Sequence, residues 1–352
     1  MILFHLLIRK PIQSPQGYEI GGIIMFRLGL IGKSNYLLGC MERWGWGEKL
    51  RLEGIQVTAW LSDYFDGSCF SLPGTISLYS RDKATEFFQL VDGVWIATAP
   101  ENHVADVTNT LGNEKHTLCE KPLSITASGT QLILYAHEKV PRLTLAVGYQ
   151  LPFHTQFSRF KALLNQLQPL KAIQIVDRRG INVETVFGCR RKKPNIISEF
   201  GTHYFHLIGR LLDVDISDWK NLAAETFCHQ IDKVADEVTI TFSAKGIEVM
   251  IHLSWCDGIV RKIQEPSRQR SKWIHAIGSG SSLTMDLIDP SWPITAQGHA
   301  DIQPHAEPDD PSLKQLLAFV SSAQNGKLNE ALCSGQEGFN VVKFTQRIQT
   351  DA

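Results

Sequence analysis

The stretch that decides the fold runs from Val94 to Pro122 and reads VWIATAPENHVADVTNTLGNEKHTLCEKP. Its first residues, Val94 to Thr98, form a continuous apolar run, which is typical of a strand buried on both faces of a parallel sheet. Glu101 to His103 can start a helix, and Lys115 to Cys119 has the pattern of a second strand. This order predicts a βαβ unit, in which both strands end at the same edge of the sheet.

The turn Glu120-Lys121-Pro122 follows the second strand of this unit. It therefore lies at the carboxyl edge of the sheet, where open α/β sheets bind their ligands. Because X-Pro is the peptide bond whose cis form is accessible at low cost, we expect a constrained turn, with a cis Lys121-Pro122 bond as one form of it.

The pattern ATAPENH followed by CEKPL resembles the glucose-fructose oxidoreductase and inositol dehydrogenase family (Gfo/Idh/MocA). The resemblance runs from Phe26 to about Ile348. It implies an α/β protein with an N-terminal Rossmann domain built on a parallel sheet and a C-terminal α+β domain with a large, mostly antiparallel open sheet. The implied division is residues 1–24 as an extension without an assigned role, residues 25–150 as the dinucleotide-binding domain, and residues 151–352 as the substrate-binding and oligomerisation domain.

The family consists of NAD(P)-dependent enzymes, so the resemblance implies NAD or NADP as the cofactor. The implied reaction transfers a hydride between the nicotinamide and a hydroxyl or carbonyl of a sugar-like or cyclic polyol substrate. A catalytically inactive family member that binds a nucleotide or a protein is the alternative. Because the open sheet face makes the subunit contact in the family, the resemblance also implies a homodimer or homotetramer.

The composition fits a globular protein of two domains, with 352 residues, 43% hydrophobic and 20% charged. Lys plus Arg number 35 and Asp plus Glu 36, so no overall field attracts nucleic acid or an anionic membrane. The seven cysteines include no C-x-x-C pair, which predicts reduced thiols in the cytoplasm and no metal site. The apolar start, Met1 to Ile8, has neither a signal-peptide pattern nor the length of a membrane span.

A dinucleotide fingerprint is expected where the apolar strand Ile23 to Ile31 meets the predicted helix Tyr36 to Trp44. The fingerprint requires glycine for the tight turn, for close approach of the backbone to the pyrophosphate, and for helix packing. Its three positions hold Gly32, Ser34 and Leu37, so only the first is glycine. We expect cofactor binding that is weakened but measurable, because the turn and the helix amino terminus remain.

The acidic residue that binds the adenosine ribose is expected after the strand Ile55 to Leu61, where Ser62 and Asp63 are the candidates. Asp63 would accept hydrogen bonds from both ribose hydroxyls and favour NAD, whereas Ser62 would not repel a 2′-phosphate. An ordinary turn residue is the other interpretation of Asp63. The full set predicted to contact the cofactor is Gly32, Ser34, Asn35, Ser62, Asp63, Thr98, Pro100, Asn102, His103, Glu120 and Lys121.

Glu199 and His203 are four residues apart, so a helical turn places both on one face. The segment resembles a family motif in which an Asp, a Gly and a His stand at alternate positions; here Glu199 takes the Asp position, and Gly201 and His203 match. This resemblance implies three catalytic residues. His203 would take the hydroxyl proton, Glu199 would orient its ring, and Lys121 would hydrogen-bond the reacting oxygen.

Alternating apolar and polar residues predict the antiparallel strands of the second domain. The strands are Glu237 to Phe242, Ile247 to Trp255, Trp273 to Gly278 and Ser282 to Leu287, and helices are predicted over Ser312 to Ala323 and Glu330 to Gln349. The basic run Arg190 to Lys193 is interpreted as a solvated loop, with a grip on a carboxylate or phosphate as the alternative.

Overall fold

The computed structural model describes residues 19–20, 23–32, 37, 39–43, 45–62, 76–167, 169–181, 195–230, 234–256, 271–289, 291, 293–297 and 309–351. Two seven-stranded sheets organise these residues. A separate two-stranded antiparallel sheet precedes them, formed by β1 (Glu19–Ile20) and β2 (Ile23–Ile24).

The first large sheet is parallel except at one edge and has the order β5-β4-β3-β6-β7-β8-β16. Its strands are β3 (Phe26–Ile31), β4 (Ile55–Leu61), β5 (Ser77–Tyr79), β6 (Gly93–Ile96), β7 (His116–Glu120), β8 (Leu145–Gly148) and β16 (Cys333–Ser334). The chain builds outward from β3 through β4 and β5, and then returns to β6 on the other side of β3. The carboxyl ends of β3 and β6 are therefore a topological switch point, the usual ligand position in such sheets.

Helices cover both faces of this sheet, which explains why every residue of β3 and β6 is buried. The helices of the N-terminal half are α1 (Trp46–Leu52), α2 (Ala84–Gln89), α3 (His103–Gly112) and α4 (Ala127–Glu138). One face packs against α2, α3 and α4 through residues such as Phe87, Val107 and Ile133. The other face packs against α1 and a C-terminal helix through residues such as Trp46 and Phe319.

The second large sheet has the order β10-β11-β12-β9-β13-β14-β15 and is antiparallel except for the β12 and β9 pair. Its strands are β9 (Leu170–Arg178), β10 (Lys220–Phe227), β11 (Glu237–Ala244), β12 (Ile247–Ser254), β13 (Ser271–Gly278), β14 (Ser282–Asp286) and β15 (Ile294–Gln297). Its helices are α5 (Thr155–Leu164) and α6 (Thr202–Leu212), and a π-helical turn, Ile197–Gly201, leads into α6. The predicted fold class, a Rossmann-like sheet with a second antiparallel sheet, is confirmed.

The C-terminal segment contributes to both halves of the molecule. It consists of α7 (Pro311–Asn325), the short strand β16 and α8 (Gly335–Asp351). β16 pairs with β8 in the first sheet, while α8 contacts α4 on one side and α6 and β10 on the other. This segment therefore packs against elements of both halves of the molecule. The predicted domain boundary at residue 150 stays a prediction.

Several predicted elements differ from those in the structure. The single strand predicted from Ile23 is divided at Met25 into β2 and β3, and these belong to different sheets. The predicted helix from Glu330 begins only at Gly335, because the residues before it form β16 and its turn. The sequence patterns did not predict β10 or β15. Among the described residues, no helix is long and apolar enough to cross a membrane.

Candidate active site at the carboxyl edge of the parallel sheet

Gly32 ends β3 at the topological switch point. Its φ of +104° lies in a region that side chains rarely adopt, and a Cβ there would stand 2.8 Å from the carbonyl oxygen of Ala97. Its N–H donates to the carbonyl oxygen of Leu61 at 3.0 Å, and its own carbonyl oxygen accepts from the Trp60 indole N–H at 2.5 Å. The tight turn required of the first fingerprint glycine is therefore present, and it fits close approach of a dinucleotide. Ser34 and Asn35 lie outside the described residues.

The end of β4 carries the two residues predicted to bind the ribose. Ser62 is buried, and its backbone N–H donates to the carbonyl of Tyr79 at 2.9 Å. Asp63 lies outside the described residues, as does the basic run from Arg190 to Lys193. Among the described residues, only Ser62 bears on the preference for NAD or NADP.

The loop after β6 is held by a carboxylate that sequence reasoning missed. The Thr98 hydroxyl donates to Asp106 at 2.7 Å, and Asp106 also accepts from Arg81 Nη1 at 2.5 Å. Asp106 is 3% exposed. Because Arg81 precedes α2 and Asp106 lies on α3, this pair fixes the Thr98 loop against two helices. Nothing in the sequence pattern points to Asp106 beyond its position in a predicted helix.

His103 connects this loop to the Lys121 turn. Its Nδ1 lies 2.8 Å from the carbonyl oxygen of Pro122, and its Nε2 lies 3.1 Å from that of Thr98. The ring is fully buried. Both ring nitrogens thus lie against backbone carbonyl oxygens, so His103 connects the Thr98 loop to the Lys121 turn, and its predicted contact with the cofactor stays a prediction. Of its neighbours in the loop, Pro100 is buried and Asn102 is exposed.

The Lys121-Pro122 bond is cis, as the constrained turn predicted. Lys121 Nζ donates to the carbonyl of Glu199 at 2.9 Å and lies 3.6 Å from the Glu199 carboxylate. The side chains of Lys121 and Glu199 are 19% and 15% exposed. A group at the end of the first sheet therefore meets one from the helical turn that leads into α6.

Glu120 lies beside this pair in a close-fitting site. The Trp95 indole donates to its carboxylate at 3.2 Å, and a Cβ on Gly148 would come within 2.9 Å of its Oε2. Burial raises the pKa of Glu120 to about 7, although the nearby charge of Lys121 lowers it. Glu120 is therefore a group that can change its charge near neutral pH.

His203 lies one turn along α6 from Glu199. Its Nδ1 is buried and has no hydrogen-bond partner in the described part of the chain, and its ring meets Tyr149 edge-on at 5.8 Å. Burial lowers the pKa of His203 well below 6.5, and the charges of Lys121, Lys272 and Arg179 lower it further. The sequence predicted that Glu199 orients the ring of His203. In the structure Glu199 pairs with Lys121, and the lowered pKa of His203 favours its neutral form.

A second polar cluster lies at the ends of β10, β11 and β12. His229, Asp236 and Cys256 each place one possible metal ligand within 4.8 Å of the others. However, the Asp236 carboxylate accepts from the backbone N–H groups of His229 and Gln230, which accounts for its burial as a turn cap.

Comparison with known proteins agrees with this geometry. Residues 74–149 match the family model described as oxidoreductase family, NAD-binding Rossmann fold. The inositol 2-dehydrogenase of Burkholderia ambifaria (strain MC40-6) is 20% identical over 173 residues, which cover 46% of this chain and 48% of that enzyme. The aligned region thus spans about half the length of this curated relative.

Two solved structures share the fold over nearly their whole length. The aldose-aldose oxidoreductase from Caulobacter crescentus, complexed with glycerol, has a TM-score of 0.76 at 16% identity and covers 93% of this chain and 97% of its own. An oxidoreductase from Agrobacterium radiobacter, in complex with NAD+, L-tartaric acid and magnesium, has a TM-score of 0.73 at 17% identity and covers 93% and 96%.

The prediction of a nicotinamide dinucleotide as cofactor agrees with the description of the matched family. The two-sheet architecture and these matches together support the resemblance stated from the sequence. Residues 74–149 thus match the model of an NAD-binding oxidoreductase family, and the chain as a whole shares its fold with the solved oxidoreductases.

Proposed function

We propose that the chain is an NAD(P)-dependent oxidoreductase that acts on a hydroxyl or carbonyl of a sugar-like or cyclic polyol substrate. The observation that carries this proposal is the meeting of Lys121, from the end of the parallel sheet, with the Glu199 and His203 segment. The nicotinamide, when bound, supplies or accepts the hydride. The sugar-related names of the relatives support the substrate class.

The roles of the protein residues follow from their contacts. Lys121 is held by Glu199 and would donate a hydrogen bond to the reacting oxygen, where negative charge develops as the proton leaves. His203 has a neutral ring under ordinary conditions and would accept that proton during oxidation. In the reverse direction the protonated ring would return it. Glu199 therefore acts as a positioning residue for Lys121.

The remaining cofactor contacts are proposed for the edge that Gly32 and the Thr98 loop form. Gly32 allows the backbone to approach the pyrophosphate, and Ser34 and Asn35 follow it in the chain. Ser62 and Asp63 are proposed for the ribose. Pro100, Asn102 and Glu120 are proposed for the nicotinamide end, with His103 holding that loop in place.

The outer face of the second sheet is proposed as the contact of a homodimer or homotetramer. Trp273, His275 and His252 lie on this face and are only partly buried. They line two surface cavities of about 380 Å³ each. Burying such a face in a symmetric contact would remove its apolar area from water. The described cysteines form no disulfide, and a cytoplasmic location is proposed on that ground.

The experiment that tests the proposed reaction follows NADH and NADPH absorbance over a panel of sugars and cyclic polyols, with purified wild-type chain and Lys121→Ala. We expect turnover with at least one substrate, and a loss of kcat of about 10²-fold or more in the variant with little change in nucleotide affinity. Lys139→Ala is the control, because the Lys139 ammonium lies at the end of α4 over the exposed ring of Tyr135, 4.2 Å from its centroid. Equal activity of Lys121→Ala and wild type would contradict the proposal. The alternative, an inactive family member, has no support from the comparisons.

A further inference from the structure

A fixed arginine that the sequence analysis did not single out lies next to the proposed catalytic residues. Arg179 follows β9, and its Nε and Nη2 donate to the two carboxylate oxygens of Asp177, each at 2.7 Å. Asp177 is 3% exposed and also accepts from the Tyr204 hydroxyl at 2.6 Å. Because Asp177 is held by α6 as well as by its own strand, the plane of the guanidinium is fixed.

An aromatic ring supports the same guanidinium from one face. The Cζ of Arg179 lies 4.3 Å from the centroid of the Phe200 ring, and Phe200 meets Trp255 edge-on at 5.8 Å. Phe200 directly follows Glu199, the partner of Lys121. The guanidinium therefore lies beside the residues proposed for the reaction.

One edge of the guanidinium remains available to a ligand. Asp177 occupies the edge formed by Nε and Nη2, and the Tyr204 hydroxyl also interacts with the guanidinium, while no hydrogen bond joins Nη1 to the described residues. The side chain is 24% exposed, whereas Asp177 behind it is almost completely buried. The remaining edge, formed by Nη1 and Nη2, has the geometry that binds carboxylate or phosphate oxygens in a bidentate manner.

The charges around this edge include the Asp177 and Glu199 carboxylates, which pair with Arg179 and Lys121, and a third cation, Lys272. Lys272 on β13 lies directly opposite Asp177 in the sheet, and its charge reaches His203 together with those of Arg179 and Lys121. Three cations and two carboxylates thus lie beside the catalytic residues, so positive charge exceeds negative charge among these five groups. The local field therefore favours an anionic group in the pocket.

We propose that the substrate carries a carboxylate or phosphate group, which Arg179 binds through its Nη1 and Nη2 edge while Lys272 adds attraction. This inference rests on the proposed function and narrows it to acidic or phosphorylated sugar-like substrates. Asp177 and Phe200 hold the guanidinium in place, and Lys121 and His203 act on a hydroxyl or carbonyl elsewhere on the same molecule.

The test is calorimetric titration of the purified chain, with and without saturating NADH, using D-glucuronate, D-glucose 6-phosphate and neutral D-glucose. We expect one of the anionic sugars to bind about tenfold or more tightly than glucose, the range of a charge-assisted bidentate contact. Whichever of the two anionic sugars binds more tightly shows whether the site prefers a carboxylate or a phosphate.

The variants separate a binding role from a structural one. Arg179→Gln leaves Asp177 buried without its cation, so the double variant Asp177→Asn with Arg179→Gln removes both charges and keeps an oxygen for the Tyr204 hydroxyl. In the double variant we expect the preference for the anionic sugar to fall to near unity. Arg142→Gln is the control, since Arg142 is 60% exposed and pairs with Glu114.

Equal binding of the three sugars, no binding of either anionic sugar, or a preference that survives in the double variant would each overturn this inference. The proposed function is tested separately, by titrating NADH itself into the purified chain. If NADH binds and the anionic sugars show no preference, the inference about Arg179 fails while the dehydrogenase proposal stands. If NADH does not bind, the dehydrogenase proposal is the one contradicted.

Discussion

At the scale of single residues, the electrostatics of His203 determine what the site can do. Its ring is half-buried, and burial together with three nearby cations keeps the pKa of His203 well below 6.5. The neutral ring is the form that accepts a proton, so the base is ready at neutral pH. As pH falls, this form is kept until the pH passes the lowered pKa.

For His203→Ala we expect a loss in oxidation rate of about 10²-fold or more. In the wild type, the acid limb of kcat/KM that reports His203 should lie well below pH 6.5, because the lowered pKa keeps the ring neutral there. Measurement of kcat/KM from pH 5 to pH 9 checks both points. An acid limb near the ordinary value of about 6.5 that disappears in His203→Ala would contradict the account.

Glu120 should make the stability of the folded chain depend on pH near neutrality. Its pKa in the folded chain is raised to about 7 from a model-compound value of 4.5, so the folded state binds a proton more tightly than the unfolded one. The resulting stabilisation is complete below pH 4.5 and is lost as pH rises through about 7. Thermal unfolding from pH 5 to pH 8 should show this fall in wild type and a flatter profile in Glu120→Gln. An unchanged slope in the variant would assign the effect to another group.

Among the site residues, Lys121 and Glu199 could be predicted because a strand end and a helical turn restrict where their side chains lie. The partner of Glu199 could not be predicted. A spacing of four residues places two side chains on one helix face but does not determine which groups they hydrogen-bond. Arg179 and Asp106 were missed for a related reason. Asp106 depends on Arg81 from another element, and Arg179 is held by Asp177, which is itself held by the Tyr204 hydroxyl of α6; no local pattern reveals these contacts.

At the scale of elements, close packing at the strand ends positions the site. Gly148 ends β8 where the side chain of Glu120 fills the available space. For Gly148→Ala we expect a destabilisation of about 1–3 kcal/mol, because the added Cβ would meet the Glu120 carboxylate and backbone. Chemical denaturation measures this change.

Gly112→Ala is the matched control, because a Cβ at that position in α3 meets no atom within 4 Å. We expect it to be neutral or slightly stabilising, since alanine is the better helix former. Equal destabilisation by both substitutions would show that the contact with Glu120 is not the cause.

The parallel strands could be predicted well because their continuous apolar runs are buried on both faces, as β3 and β6 are. The strand β10 was missed because its residues alternate only between exposed and half-buried positions at a sheet edge. β16 has two residues and pairs far along the chain, so no periodicity can reveal it.

At the scale of the whole molecule, the outer face of the second sheet should hold copies of the chain together. Light scattering of the wild type at micromolar concentration should give a dimer or tetramer. Trp273→Glu should shift the mass toward the monomer, because a charge would be buried at the contact. Leu132→Glu, at an exposed position of α4, is the control and should leave the mass unchanged. A monomeric wild type would contradict the oligomer.

The central claim is that the carboxyl edge around Gly32 binds a nicotinamide dinucleotide next to Lys121. Calorimetric titration of the purified chain with NAD+, NADH, NADP+ and NADPH tests it most directly, with circular dichroism to establish that the protein is folded. The account predicts saturable heat with at least one of the four, because the Gly32 turn and the braced Thr98 loop are in place. No heat with any of them in folded protein would contradict it.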